Sequence, residues 1–373
     1  MNRSTFSSRP VAIWMFTGVI MLLIQVVLGG ITRLTGSGLS ITEWNVVTGT
    51  LPPLNTAQWQ DAFDKYKLSP QFRFLNSDFN LSDYKFIFFW EWFHRLWARM
   101  VGVVFVVGFI WLLLKQKMKP AMIQKMKPAM IRPLIILFLL GALQGAVGWI
   151  MVASGLTGDA IYVRPTRLAL HFVFALVLIV YAFWFGLQLT VPQQEVIRTG
   201  SVQDRRKTGF IRSLTIAILV VLFFQLLYGA LMAGHKAATV APTWPTINGD
   251  WLPDAAFSGR RLFQDLIGNK ITVQFIHRSL AYLLLVMVLI WSVKAFSLHT
   301  QSSWFRRFRP LPILLIGVQI TLGVTVLLTS PGIIPQHWGP FDWLAQLHQI
   351  IALLFLLTMV GMLYIVKPDS VTV

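Results

Sequence analysis

Cysteine is absent from this 373-residue chain, and charged residues are scarce at 12%. Without cysteine there are no disulfides, iron–sulfur clusters or thiolate metal sites. Any cofactor must therefore be held by His, Met, carboxylate or backbone groups. Soluble domains carry about 25% charged residues. Because 55% of the chain is hydrophobic, it has too much apolar surface for one soluble core and too much for disorder. The composition indicates a polytopic membrane protein.

Long apolar runs confirm this class of protein and give the number of membrane spans. A helix needs about 20 apolar residues to cross the hydrocarbon core. Trp and Tyr cluster near many ends of such runs, as they do at membrane interfaces. The sequence predicts an all-α membrane protein with eight transmembrane helices, at 11–31, 86–114, 133–153, 168–190, 211–233, 272–296, 310–329 and 343–366.

The net charge is +18. In a membrane protein, topology should be considered as the cause of such a charge before nucleic-acid binding. With a cytoplasmic N-terminus, 18 of the 32 Lys and Arg residues fall in the inside segments, although the outside loops are much longer. The positive-inside rule then predicts that both termini are cytoplasmic. The inside loop after the second span includes a tandem copy of eight residues at 116–131, to which we assign no function. We expect no nucleic-acid partner.

The eight spans divide into two homologous halves. A shift of 200 residues aligns spans one and five without a gap and pairs Trp44 with Trp244 and Pro53 with Pro253. Because each half has four spans, both halves share one orientation and are related by an axis along the membrane normal. The sequence predicts two tandem, parallel, pseudo-twofold-related four-helix bundles, with domains at 1–200 and 201–373.

A Gln-x3-Gly motif recurs in all four odd-numbered spans, at Gln25/Gly29, Gln144/Gly148, Gln225/Gly229 and Gln319/Gly323. Small residues let membrane helices approach one another, and a buried amide can bond across their interface. The same glycines could also make room for a flat ligand. The sequence leaves both interpretations open.

The four even-numbered spans each carry one histidine near the outer end, at His94, His171, His277 and His348. The first and third match at a shift of 183, and the second and fourth at a shift of 177. Polar residues at membrane depth are costly and usually functional. Four histidines at one depth, in repeat-related pairs, predict one ligand site in each half.

Two histidines per site favour haem over zinc. Zinc needs four ligands, or three and water, whereas haem needs one or two axial ligands in a bundle interior. Arg95 and Arg278 directly follow a histidine near the outer surface. Because a guanidinium can bind a carboxylate in bidentate fashion, both are candidate propionate partners, although arginine also extends to lipid headgroups from such positions. We predict two haem sites near the outer face.

Glu91, three residues before His94, breaks the symmetry because the position matching it is Gln274. A carboxylate in an apolar pocket beside a haem edge can move a proton or stabilise a developing cation, and an amide cannot. The N-terminal half is therefore predicted to carry out the chemical reaction, and the C-terminal half is predicted to transfer electrons. A purely structural pairing of Glu91 with an arginine is the alternative. Arg33 and Glu43 in the Gly- and Thr-rich first outer loop could contact a ligand.

At these residues the chain resembles the haem A synthase family over nearly its whole length. The resemblance rests on GGxTRLTGSGLSITEWxxxxGxxPP from Gly29 to Pro53, EWFHR from Glu91, QGAxGWxMVxSGL from Gln144, and the histidines of spans four, six and eight. Some members carry a Cys pair in the first outer loop. Since this chain has no Cys, it resembles the cysteine-free type of mitochondria and many proteobacteria, and a thiol-based step is impossible.

The resemblance implies oxidation of the C8 methyl group of haem O to a formyl group, giving haem A for terminal oxidases. His94 and His171 would hold the substrate iron, His277 and His348 the iron of a haem b cofactor, and Glu91 would be needed for activity. It implies a bacterial inner-membrane or mitochondrial inner-membrane location. Expected partners are the lipid bilayer, haem O synthase, the cytochrome oxidase assembly machinery, an unidentified electron acceptor and a second copy of the chain.

Two other functions compete with this one. A dihaem b-type electron-transfer cytochrome, such as a transmembrane quinol or ferric reductase, explains four histidines and two arginines equally well. It gives no reason why the first half has Glu91 where the second half has Gln274 at the matching position. A transporter built from two repeats would favour helices broken by Gly or Pro at mid-span, whereas the mid-span feature here is Gln-x3-Gly.

Overall fold

A computed structural model describes residues 9–43, 48–116, 120–197, 202–257, 262–334 and 337–366. The described residues form twelve α-helices and no β-strand. The α-helices are α1 (Arg9–Leu34), α2 (Thr56–Lys67), α3 (Pro70–Leu75), α4 (Leu81–Gln116), α5 (Pro120–Ala153), α6 (Pro165–Thr190), α7 (Val202–His235), α8 (Leu262–Gly268), α9 (Lys270–Phe296), α10 (Ser303–Phe308), α11 (Leu311–Thr329) and α12 (Pro340–Ile365).

Eight stretches of helix in the described part are long and apolar enough to span a membrane. They coincide with the eight predicted spans, so the all-α class and the number of spans are confirmed. The helices run further than the apolar stretches; α4, for example, has 36 residues. Polar residues at their ends continue the helices beyond the apolar segment that was used to predict them.

One segment that the sequence analysis predicted to be a loop is helical in the structure. Helix α5 begins at Pro120, so residues 120–131 of the tandem copy are helical. Proline is well suited to the first position of a helix because its missing N–H has no partner to lose, and the Ala, Met, Gln and Lys that follow are good helix formers. Residues 117–119 of the copy, like Trp44 of the internal repeat, lie outside the described residues.

Two compact units divide the chain. The first unit comprises the described parts of 17–179 and 334–342, and the second comprises those of 1–16, 180–333 and 343–373. In the second unit, Phe16 packs against Gly186, where an added Cβ atom would lie 3.1 Å from the ring. Phe16 also contacts a cluster formed by Leu187, Val191 and Tyr364.

Outside its spans, the first unit has a small cluster of aromatic side chains from α2, α3 and the start of α4, which we call the aromatic cap. Helices α2 and α3 start at the side-chain caps Asn55 and Ser69. Tyr66 in α2 is fully buried and stacks on Tyr84 of α4 with ring centroids 5.2 Å apart. Its hydroxyl donates to Gln71 and accepts from Asn76. The amphipathic run 56–67 was the sequence signal for this cap, and the sequence analysis missed it.

Candidate haem-binding sites

The recurring Gln-x3-Gly motif lies against the four histidines, one motif to each histidine. Each glycine faces the Cε1 edge of an imidazole from the neighbouring span. A Cβ atom added at the glycine would lie 2.9–3.3 Å from that carbon, in the pairs Gly29/His94, Gly148/His171, Gly229/His277 and Gly323/His348. Glycine is therefore required because the ring of the opposite helix occupies the space of a side chain. The glycines therefore do allow close helix packing, and the group that packs against each of them is a histidine that is a candidate iron ligand.

The glutamine of each motif lies over the same imidazole. In the first unit, the Nε2 atom of Gln25 is 3.3 Å from Nδ1 and 3.2 Å from Nε2 of His94. Gln144 is related to His171 in the same way, at 3.3 Å from both ring nitrogens. A donor equidistant from both nitrogens lies over the ring face and not along either in-plane lone pair. The same amide also donates to the backbone carbonyl of the histidine, at 3.2 Å in both pairs, so it lies against the ring without pointing along either in-plane lone pair.

In the second unit, the backbone also orients a ring. Nδ1 of His348 is 3.1 Å from the carbonyl oxygen of Gln319, which can only accept, so Nδ1 carries the hydrogen. The other nitrogen, Nε2, then carries the lone pair that a metal ligand needs, and in this structure that lone pair is the acceptor nearest the Gln319 amide. The Gln319 amide lies 3.1 Å from this Nε2 atom, and the Gln225 amide lies 3.3 Å from Nε2 of His277.

The four histidines form two pairs, one in each unit. His171 is an electrostatic neighbour of His94, and His348 is an electrostatic neighbour of His277. All four side chains are half-buried. Within the described residues no group of three or more His, Asp or Glu side chains is arranged to hold a metal ion. Each unit therefore offers a pair of imidazoles, and axial haem ligation needs one or two such ligands.

The glutamine side chains also supply a test of fit for a bound group. Their Oε1 atoms are buried and have no hydrogen-bond partner, at Gln25, Gln144, Gln225 and Gln319. An unpaired buried carbonyl costs about 1–3 kcal/mol. The same unpaired carbonyl recurs beside all four histidines, so it is a shared feature of the two candidate sites. Paired imidazoles with fixed rings fit an iron porphyrin.

Glu91 is buried, 2% exposed, but its surroundings are polar and not apolar as expected. One carboxylate oxygen is 2.6 Å from Nη2 of Arg95, one turn along α4. The other accepts from the Ser40 hydroxyl at 2.7 Å and from the Ile41 backbone N–H at 2.8 Å. The first outer loop folds back onto α4 and supplies these donors. The sequence left open a pairing of Glu91 with an arginine, and in the structure that arginine is Arg95. The role of Ser40 and Ile41 had no signal in the sequence.

Arg95 and Arg278 hold the loop that follows the first span of each half. The Nη2 atom of Arg95 donates to the Ile41 carbonyl at 3.2 Å. The Nη2 atom of Arg278 donates to the Ala241 carbonyl at 3.1 Å. Residues 41 and 241 are partners in the 200-residue repeat, so this contact is conserved within the chain. Each guanidinium has five N–H donors in a planar fork, and here they serve to hold the loop.

The repeat also shows how the Glu-to-Gln difference changes the site. Glu91 accepts a hydrogen bond from the Ile41 N–H. Its counterpart Gln274 donates one to the Ala241 carbonyl at 3.2 Å. The polarity of the contact is therefore reversed between the halves. At these two matching positions, the first unit has a charged acceptor and the second unit has a neutral amide.

The other three histidines lie outside the two pairs. The Nε2 atom of His235 is 2.7 Å from the Ile267 carbonyl, which anchors the end of α7. His299 is exposed in the segment that follows α9. His337 lies in the segment before α12. Their loop and helix-end positions were predicted.

The fold and the sites together define a multi-pass helical membrane protein. Each of its two units has a pair of histidines, and each histidine lies against a Gln-x3-Gly motif. Residues 12–360 match the COX15-CtaA family, described as a cytochrome oxidase assembly protein. The chain belongs to this family, and its resemblance to haem A synthases is confirmed.

Curated relatives named haem A synthase match along most of their length. The protein of Flavobacterium johnsoniae is 37% identical over 359 residues, covering 94% of this chain and 96% of the relative. That of Rhodopseudomonas palustris is 39% identical over 353 residues, covering 93% and 86%. That of Paracoccus denitrificans is 36% identical over 344 residues, covering 91% and 83%. All three relatives are bacterial.

Proposed function

We propose that this protein is a haem A synthase, an oxidoreductase that converts the C8 methyl group of haem O into the formyl group of haem A. The observation that carries the proposal is the arrangement of four histidines as two pairs, each ring held by a Gln-x3-Gly motif. Membership of the family, and the name that its curated relatives share, support the same reaction.

His94 and His171 of the first unit are the proposed ligands of the substrate iron. His277 and His348 of the second unit are the proposed ligands of a haem b cofactor, which supplies one-electron transfer when bound. The hydrogen bond from His348 to the Gln319 carbonyl supports this assignment because it directs the Nε2 lone pair away from the backbone. The reversed contact at Gln274 supports an electron-transfer role for the second unit and a chemical role for the first.

Glu91 is the proposed catalytic residue. Oxidation of a methyl group releases protons and develops positive charge at the carbon, and a nearby carboxylate favours both. The hydrogen bonds from Arg95, Ser40 and Ile41 hold the carboxylate in one position. Glu91 also positions the first outer loop through these bonds. Gln274 can position a loop but cannot accept a proton.

Arg95 and Arg278 remain proposed propionate partners in addition to their loop contacts. The membrane arrangement that we propose follows the sequence: two tandem four-helix bundles with cytoplasmic termini and histidines near the outer face, in the bacterial inner membrane or its mitochondrial equivalent. Haem O would come from a haem O synthase, and haem A would pass to the cytochrome oxidase assembly machinery. The electrons leave through a separate acceptor, and a homo-oligomer is compatible with this arrangement.

A dihaem b-type cytochrome is the alternative function and is not favoured. Extraction of haem from the purified protein, followed by chromatography, separates the two. Haem O and haem A found together with haem b support the synthase. Haem b alone, with rapid reduction by quinol, would establish the cytochrome instead. A folded protein that binds no haem would contradict both.

A further inference from the structure

Arg33 continues the stripe of α1 that contacts His94. Gln25, Gly29 and Arg33 are spaced four residues apart, so they share one face of the helix. The first two contact the imidazole of His94. Four residues advance a helix by about 6 Å, so Arg33 lies one turn further toward the outer end. Helical side chains lean toward the N-terminus, which directs this guanidinium back toward the level of the histidine.

The charge of Arg33 is only weakly compensated within the described residues. Its side chain is half-buried, and no hydrogen bond or close ion pair to it occurs in that part of the chain. Asp342 acts on its charge from a longer distance. That carboxylate already accepts from the Gly339 N–H at 2.9 Å, at the start of α12. Arg95, by contrast, donates to acceptors that include the Glu43 and Ile41 carbonyls and the Glu91 carboxylate.

The second unit has no counterpart of this cation, because the position matching Arg33 in the repeat is Ala233. A shared structural requirement would have kept a similar residue in both halves. An arginine near a membrane span is costly without an anionic partner, and its planar fork suits a carboxylate. Arg33 therefore marks a difference in what the two sites bind.

We infer that Arg33 binds a propionate carboxylate of the substrate porphyrin and is a recognition residue of the first site alone. This inference rests on the proposed function, which makes the first site the one that must admit and release a porphyrin dicarboxylate. A cation one turn outside His94 orients such a ligand with its carboxylates toward the outer surface. The second site has no such residue at the matching position.

The test compares ferric protoporphyrin haem with its dimethyl ester, which lacks the carboxylate charges. Both are titrated into the full-length protein in detergent, and the binding that is lost in H94A protein reports the first site. We expect wild type to prefer the free acid by about tenfold, the size of one charge-assisted hydrogen bond. In R33Q most of this preference should be lost, leaving only the part that Arg95 supplies, and in R33K more of it should remain. R73Q removes an exposed cation of α3 and should keep the full preference.

The possible failures are distinguishable. An R33Q protein that keeps the full preference for the free acid overturns the role of Arg33, as does a wild-type protein that binds acid and ester equally. In both cases the proposed function stands. If the wild-type protein binds the free acid and the ester no better than the H94A protein does, the proposed function itself is contradicted. If R33Q does not fold, as judged by its helical circular dichroism and elution volume, the R33K comparison decides.

Discussion

Gly148 lies under the imidazole of His171 so closely that a Cβ atom would be 2.9 Å from Cε1. No real side chain tolerates that distance, so either the helix or the ring must move. Gly145, one turn earlier in α5, has nothing within 4 Å of an added Cβ atom. These two glycines therefore form a matched pair, in which only one supports a candidate ligand.

We expect G148A to lower the affinity of the first site for haem by about 5- to 150-fold, the equivalent of about 1–3 kcal/mol of overpacking. G145A should leave haem affinity unchanged, since both substitutions share the same helix propensity gain. Haem titration with absorption spectroscopy measures the difference. Equal affinities in the two variants would show that Gly148 does not position His171.

Replacing Glu91 tests the asymmetry between the halves. E91Q keeps an oxygen for the Ser40 and Ile41 donors but removes the charge that pairs with Arg95. We expect the variant to retain haem and to lose conversion of haem O by at least about 100-fold, the usual effect of removing an acid–base group. Chromatography of extracted haems measures the conversion. E43Q is the control, since it neutralises an exposed carboxylate of the same loop, which pairs with Lys65.

A purely structural role for Glu91 gives a different pattern. If Glu91 only holds the first outer loop, E91Q should make that loop more sensitive to protease and lose haem together with activity. Haem A formation at the wild-type rate in E91Q would contradict both roles.

The glutamines over the histidines should act on the cofactor. Q319L keeps the backbone bond to Nδ1 of His348 and removes the amide that lies 3.1 Å from Nε2. We expect a loss of haem b affinity of up to about tenfold, because the ring keeps its bond at Nδ1 but loses the amide that lies against it and is less well oriented, and a changed midpoint potential. T321V, on the exposed face of the same helix, is the control. An unchanged potential and affinity in Q319L would remove the glutamines from the site.

Tyr66 holds the aromatic cap to the first outer loop through Gln71, whose amide donates to the Gly36 carbonyl. Burial raises the pKa of Tyr66 to about 12. The unfolded cap loses this phenolic proton at a lower pH than the folded one, so the cap loses stability as the pH rises from about 10 to 12. Proteolysis of the segment 56–76 at increasing pH measures this.

In Y66F this part of the alkaline destabilisation should be absent. At neutral pH the variant should already be less stable by about 1–3 kcal/mol, because Gln71 and Asn76 each lose a bond to the hydroxyl. Q60A, on the exposed face of α2, is the control. The same pH profile in Y66F and wild type would contradict a role for Tyr66.

Much of this protein could be predicted from the sequence because a bilayer imposes strong rules. Apolar length fixed the eight spans, and the internal repeat brought out the four histidines and the Glu91–Gln274 difference. Contacts between distant segments could not be read in this way. The Gln-x3-Gly motif was visible, but only the structure places its glycines under the histidines. The polar surroundings of Glu91 come from Ser40 and Ile41, fifty residues earlier in the chain, and no local pattern encodes that fold-back.

The central claim is that this chain converts haem O into haem A. The most direct measurement is its expression in bacteria that make haem O but not haem A, followed by chromatography of the haems extracted from their membranes. We predict that haem A appears with the wild-type chain and not with H94A protein present at the same level. Haem O that remains unconverted in membranes containing the folded, haem-loaded wild-type protein and a functional electron acceptor would contradict the account.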